Sequence, residues 1–169
     1  QLASHISIAE TLAIEEGVGL PSGYRLLVSG PQKRDQELYQ WLSNAVRRAQ
    51  ERIIIATPFF FPDRVLMRHI ILARQHGVSV EIITPLRTDK PRYDRFRAVP
   101  MPLLRKHGVR WYGAQEYFHT KFCIIDNHWT FGSANFDMVC MQRNYDLNVC
   151  GQDGPALHTL EVCAADLKK

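Results

Sequence analysis

The chain has 169 residues, 46% hydrophobic and 22% charged, with a net charge of +4 at neutral pH. That size and balance specify one soluble globular domain with a sizeable core and leave no room for a second. The longest apolar stretch, around IIIATPFFFP, falls well short of the ~20 residues needed to span a bilayer, so a membrane anchor would have to lie outside this chain.

Residues 1 to about 23 show weak periodicity and contain three glycines, which reads as a linker or an arm from a preceding part; residues 24 to 169 form the domain. RLLVS at 25 to 29 reads as a short strand broken by Gly30-Pro31. From Asp35, a good N-cap, the next run places Leu38, Trp41, Leu42, Ala45, Val46 and Ala49 on one helical face. RIIIA at 52 to 56 is a buried strand by its continuous apolar character. Aromatic residues leaving such a strand, here Phe59, Phe60 and Phe61, belong by default to the core, although they could also reach acyl chains. Pro62 and Asp63 open a second helix that runs to about Gln75 and stops at Gly77, after which VSVEIIT is a strand. Pro100 and Pro102 break any long helix, LLRKHG ends at Gly108, and VRWYG resumes as a strand. Two strands follow in the run 119 to 135, then NYDLNVC, and Pro155 begins a last helix. This alternation predicts an α/β fold, a mixed β-sheet flanked by helices on both faces.

The run HTKFCIIDNHWTFGSAN at 119 to 135 holds His119, Lys121, Asp126, Gly132, Ser133 and Asn135. In extended backbone alternate side chains share a face, so His119 and Lys121 point one way, as do Ser133 and Asn135. Four polar side chains can then converge on one phosphate. An imidazole can attack phosphorus or protonate a leaving oxygen, Lys121 supplies fixed positive charge, and Ser133 and Asn135 offer donors to non-bridging oxygens. That chemistry requires no metal and no cofactor. The four cysteines lack metal-ligand spacing and read as reduced packing residues. His69, His76 and His107 fall in or at the ends of helices, where exposure or C-terminal capping accounts for them.

The run resembles the signature of the phospholipase D superfamily, H-x-K-x4-D-x6-G-S-x-N, in every named residue type. It departs in spacing, because only NHWTF separates Asp126 from Gly132. A one-residue slip within a strand would turn every later side chain over, so the deletion belongs in the turn, for which Asn127-His128 is the expected pair. The resemblance makes His119, Lys121, Asp126 and Asp146 catalytic candidates, with Gly132, Ser133 and Asn135 binding substrate. Asp146, where the family more often has Glu, would orient His119 by accepting from one ring nitrogen. Asp126 ends a strand before a turn, a place that favours a structural hydrogen-bonding role. Asp137, Gln142 and Asn144 either line the pocket or bond within loops.

TPFFFPD, GVSVEIITP with Asp89, HGVRWYG leading into FHTK, and GSANFD together look like the second catalytic half of bacterial cardiolipin synthases, over about residues 25 to 150. The resemblance implies transfer of a phosphatidyl group to a phospholipid hydroxyl through a phosphohistidine. It implies an anionic phospholipid substrate at a membrane surface, and a bacterial inner membrane location on the cytoplasmic side. The chain starts at Gln1 and has one H-x-K motif, so it reads as a piece of a longer protein. A second motif would come from another half of the parent chain or from a homodimer partner. Two other readings are a phospholipase D or nuclease of the same superfamily, and a silent lipid-binding scaffold; the positive charge and the stretch RTDKPRYDRFR fit a phospholipid surface or a nucleic-acid backbone.

Overall fold

The computed structural model describes residues 23–169, so the arm expected before Gly23 lies outside the described residues. The chain runs β1 (Arg25–Ser29), a 3-10 turn (Lys33–Asp35), α1 (Glu37–Arg48), β2 (Arg52–Ala56), β3 (Phe60–Phe61), α2 (Arg64–Gln75) and β4 (Ser79–Pro85). It continues α3 (Pro91–Arg97), α4 (Pro100–Lys106), β5 (Arg110–Ala114), β6 (Phe122–Ile125), β7 (His128–Gly132), β8 (Phe136–Asp137), α5 (Met138–Arg143), β9 (Asp146–Gln152) and α6 (Gly154–Asp166). Seven strands form one mixed sheet in the order β1-β9-β7-β6-β2-β4-β5, and β3 pairs with β8 as a separate short ribbon. β2, β4 and β5 are parallel, while β6 and β9 run against their neighbours. The carboxyl ends of β2, β4, β5 and β7 therefore meet the amino ends of β6 and β9 along one edge of the sheet, the edge at which α/β folds place their ligands.

Period-two alternation divides β2 between two cores. Ile53 and Ile55 pack with Leu42, Val46, Leu66, Ile70 and Leu104 from α1, α2 and α4, whereas Ala56 and the half-buried Ile54 pack with Trp129, Ile124 and the α6 residues Leu160 and Ala164. Each fully buried Ile or Leu contributes about 1.5–3 kcal/mol relative to exposure. Helices thus cover both faces, as the alternation of elements predicts.

Some local features differ from the sequence expectations. Asp35 does not cap α1: it closes the 3-10 turn by donating its N–H to Gln32, and the helix starts at Glu37 behind Gln36, whose side chain makes no capping bond. The β6–β7 turn is Asp126-Asn127, because Ile125 pairs with His128. Asp126 takes the positive φ, 55°, a conformation that Asp tolerates. The short helix α3 and the β3–β8 ribbon have no periodic signal in the sequence, since each is too short to establish one. Asp63 does cap α2, accepting from the Leu66 N–H at 2.8 Å.

Candidate active site

His119 and Lys121 lie in the extended segment just before β6, at the ligand-binding edge of the sheet. The imidazole of His119 is exposed, and its ring lies 6.3 Å from that of Tyr117 at 43°. Lys121 is only 4% exposed, and its Nζ donates to the His119 carbonyl oxygen at 2.6 Å. An ammonium has three N–H donors, so two remain for an incoming anion. Burial pushes the Lys121 ammonium below its ordinary pKa, and the nearby Cys140, Asp146 and Asp89 pull it back upward.

Gly132 ends β7 against β9 so closely that a Cβ would stand 2.3 Å from the Leu147 carbonyl oxygen and 2.6 Å from the Asn148 Cα. Only glycine permits that approach, and it brings the next residue onto the start of β9. Ser133 Oγ donates to Asp146 Oδ1 at 2.7 Å and accepts from the Leu147 N–H at 3.1 Å. The Asp146 carboxylate expected behind His119 is therefore engaged with Ser133, and among the described residues no hydrogen bond joins it to the imidazole.

Asn135 is half-buried. Its Nδ2 donates to Cys140 Sγ at 3.5 Å, and its Oδ1 is buried without a hydrogen-bond partner. An orphaned acceptor of this kind costs about 1–3 kcal/mol unless a ligand donor satisfies it. Asn135 lines a cavity of about 120 Å³ with Phe59, Lys90, Asp137, Cys140 and Asn144. Larger hollows lie away from this chemistry, including one of about 530 Å³ beside α1, Asp126 and His128. The chemistry locates the site better than cavity size does.

Asp137 lines the cavity and also caps α5, its Oδ1 accepting from the Val139 and Cys140 N–H groups at 2.8 and 2.9 Å. Burial raises its pKa despite those donors. Asn144 joins the cavity wall and donates to Cys140 Sγ at 3.5 Å. Gln142 turns away and donates to Asp63, which also accepts from Tyr39.

Asp126 lies at the other end of β6 from Lys121. Its carboxylate accepts from the backbone N–H groups of Gln50, Glu51 and Arg52 at 3.0, 2.8 and 3.0 Å. Burial opposes its charge, but the three donors outweigh that effect and hold its pKa below the ordinary carboxylate range. Four strand residues at about 3.3 Å each separate it from Lys121, so the structure places this catalytic candidate apart from Lys121 and gives it the structural hydrogen bonds that its position before the turn favours.

Three residues enter the site without having stood out in the sequence. Cys140 bridges Asn135 and Asn144, Lys90 lies 5.8 Å from the Phe59 ring, and Tyr117 joins the His119 ring to Asp89, donating to Asp89 Oδ1 at 3.2 Å. Spacing in the chain gives no sign of these contacts, because Lys90 and Tyr117 arrive from loops. All four cysteines are free thiols, and burial raises their pKa values. Among the described residues no cluster of three metal-ligating side chains occurs, and no helix is long and apolar enough to cross a membrane.

The motif and its geometry agree with relationships found elsewhere in the chain. Residues 42–164 match the family described as cardiolipin synthase, PLD-like domain. The probable cardiolipin synthase YwiE of Bacillus subtilis is 32% identical over 150 residues, which is 86% of this chain but 29% of that protein. The chain thus spans about three tenths of that relative. Among solved structures, the phospholipase D family member Nuc of Salmonella typhimurium is 20% identical with a TM-score of 0.69, covering 85% of this chain and 93% of that one. The phosphatidylserine synthase of Haemophilus influenzae is 18% identical with a TM-score of 0.64, covering 92% of this chain and 43% of that one. With its fold, its motif residues and its sequence all in agreement, the chain belongs to the cardiolipin synthase branch of phospholipase D-like domains.

Proposed function

We propose that this chain supplies one half of the active site of a phosphatidyltransferase of cardiolipin synthase type, acting on phosphatidylglycerol at a bacterial inner membrane, on its cytoplasmic side. The observation that carries the reading is the pairing of an exposed imidazole, His119, with a buried ammonium, Lys121, two residues away and hydrogen-bonded to the His119 backbone carbonyl. A buried cation is costly without a task or a partner. A phosphodiester supplies the missing anion.

In the proposed reaction one imidazole gives its electron pair to phosphorus, and the bond to the departing glycerol oxygen breaks as a second imidazole protonates it. The phosphatidyl group is then held on histidine. The second imidazole next takes the proton from the hydroxyl of another phosphatidylglycerol, whose oxygen attacks phosphorus and releases the histidine. His119 is one of these two groups. Its counterpart comes from a second motif-bearing half of the parent chain or from a homodimer partner. Lys121 and the Asn135 Nδ2 donate to the non-bridging oxygens, where charge develops, and Ser133 joins them when its hydroxyl proton turns from Asp146. Support for the lipid reading comes from the family assignment and from the named function of the curated relative.

The test is a lipid-product assay on the longer parent protein given phosphatidylglycerol alone, read by mass spectrometry, with His119→Ala as control. Cardiolipin that vanishes in the variant is the expected result. Phosphatidic acid would make water the acceptor and the enzyme a phospholipase D, and cleavage of DNA with no lipid product would replace this reading with a nuclease.

A further inference from the structure

The positive charge of the chain is concentrated in one place. Residues 87 to 106 hold seven Lys and Arg against two Asp, a net +5, where the whole chain carries +4. The rest of the molecule is close to neutral. The segment begins directly after β4, at the ligand-binding edge of the sheet, and forms α3 and α4. Arg87, Lys90, Arg92, Arg95, Arg105 and Lys106 are all exposed. Both acids in the segment are engaged within the protein: Asp89 accepts from Tyr117 Oη, and Asp94 accepts from the Thr88 N–H.

The same segment exposes large apolar side chains, with Phe96 52%, Val99 66% and Leu103 41% accessible, and Leu86 just before it is 48% accessible. Phe96, Val99 and Leu103 recur at spacings of three and four residues. The junction residues Ala98 and Val99 keep right-handed helical dihedrals, so this spacing aligns the three on one side of the helical path. Pro100 and Leu104 hold the path to the core. Phe96 touches Phe61, at 5.9 Å between ring centres, and Phe61 follows the cavity-lining Phe59 and the buried Phe60. The apolar stripe is thereby fixed to the wall of the site.

We propose that α3, α4 and the loop before them form an interfacial docking element that binds the surface of an anionic phospholipid bilayer and seats the mouth of the site at headgroup depth. An amphipathic helical segment with basic residues beside exposed Phe, Val and Leu inserts its apolar side at the boundary of headgroups and acyl chains, and its cations meet the anionic lipids. A nucleic-acid backbone would take the cations but has no place for Phe96, Val99 and Leu103, which favours the bilayer. The inference rests on the reading of the site as one that acts on a membrane lipid.

The 169-residue chain is to be sedimented with vesicles of phosphatidylglycerol and phosphatidylcholine, and separately with phosphatidylcholine alone. Variants are Arg92→Ala/Arg95→Ala and Val99→Ser/Leu103→Ser, with circular dichroism to show that each folds. Binding to the anionic vesicles is expected, lowered about thirtyfold by loss of the two arginines, lowered by the apolar pair as well, and absent on phosphatidylcholine alone. Equal binding by the Val99→Ser/Leu103→Ser variant would overturn the proposal, as would salt-sensitive binding to duplex DNA that the same variant retains in full. The parent protein separates the two readings. Lipid product in detergent micelles without vesicle binding sinks the docking element alone, and vesicle binding through these residues without lipid product sinks the transferase reading alone.

Discussion

The two ends of β6 contain charged groups of the same sequence motif under opposite conditions. At one end Asp126 is saturated, with three backbone donors on its carboxylate. At the other, Lys121 is buried with a single hydrogen bond, His119 stands in solvent, and Asn135 Oδ1 has no partner. A polar group kept for folding has its bonds satisfied within the fold. One kept for chemistry holds donors and acceptors open. The short run from 119 to 135 thus carries a staple at one end and, at the other, the groups proposed as half of a reaction centre, and incomplete satisfaction separates the two.

The largest expected effect lies at the open end. His119→Ala in the longer protein should lower lipid turnover by about 10³-fold or more, because it removes either the nucleophile or the acid. Its unfolding free energy should stay within about 0.5 kcal/mol of the parent, as an exposed side chain implies. A large loss of stability instead would break the comparison by making His119 structural. Next comes Gly132→Ala. The added Cβ has a carbonyl oxygen at 2.3 Å, and relieving that contact requires β7 and β9 to part, at about 3 kcal/mol in denaturant unfolding.

Asp126→Ala tests the saturated end. Three backbone donors lose their acceptor, and a residue with φ of 55° loses a side chain that tolerates it, so stability should fall by about 2–3 kcal/mol. Turnover per folded molecule should hold. Asp126→Asn keeps one acceptor oxygen and should lose less. The pH dependence has a definite sign. A carboxyl whose folded pKa is depressed stabilises the fold above its unfolded value of about 3.9, and that contribution drains away as pH falls through the lower folded pKa. Thermal melts at successively lower pH should therefore show a smaller acid loss in Asp126→Asn than in the parent. Identical acid profiles would mean that the three donors do not depend on the charge.

How far the sequence reveals the site follows the same division. Residue types and spacing within one run bring His119, Lys121, Ser133 and Asn135 to one sheet edge, because strand period and a two-residue turn are local properties. The turn itself moves by one residue, to Asp126-Asn127, where Asp rather than Asn takes the positive φ. Contacts made across the fold are not legible. Nothing in the chain order brings Cys140 between two amides or ties Tyr117 to Asp89, since these pairings depend on how α5 and the loop after β4 pack. The helix start fails for a related reason: Asp35 is a good cap by type, but the chain leaving β1 needs a 3-10 turn to reach α1.

Ser133 stands where the two conditions meet. Its hydroxyl is exposed to an incoming phosphate yet already donates to Asp146 at 2.7 Å and accepts from the Leu147 N–H. Water can replace both contacts, so Ser133→Ala should cost less than about 1 kcal/mol of stability. Turnover should fall about tenfold, less than for a donor that acts on the oxyanion alone. If serine and aspartate work as one unit, the double variant Ser133→Ala/Asp146→Ala loses little more activity than the worse single variant, a coupling of about 0.5–3 kcal/mol in a double-mutant cycle. Simple additivity would assign them to separate steps. Ser133 would then belong with the open groups and Asp146 would be released to serve His119, the partner that its position behind the motif suggests.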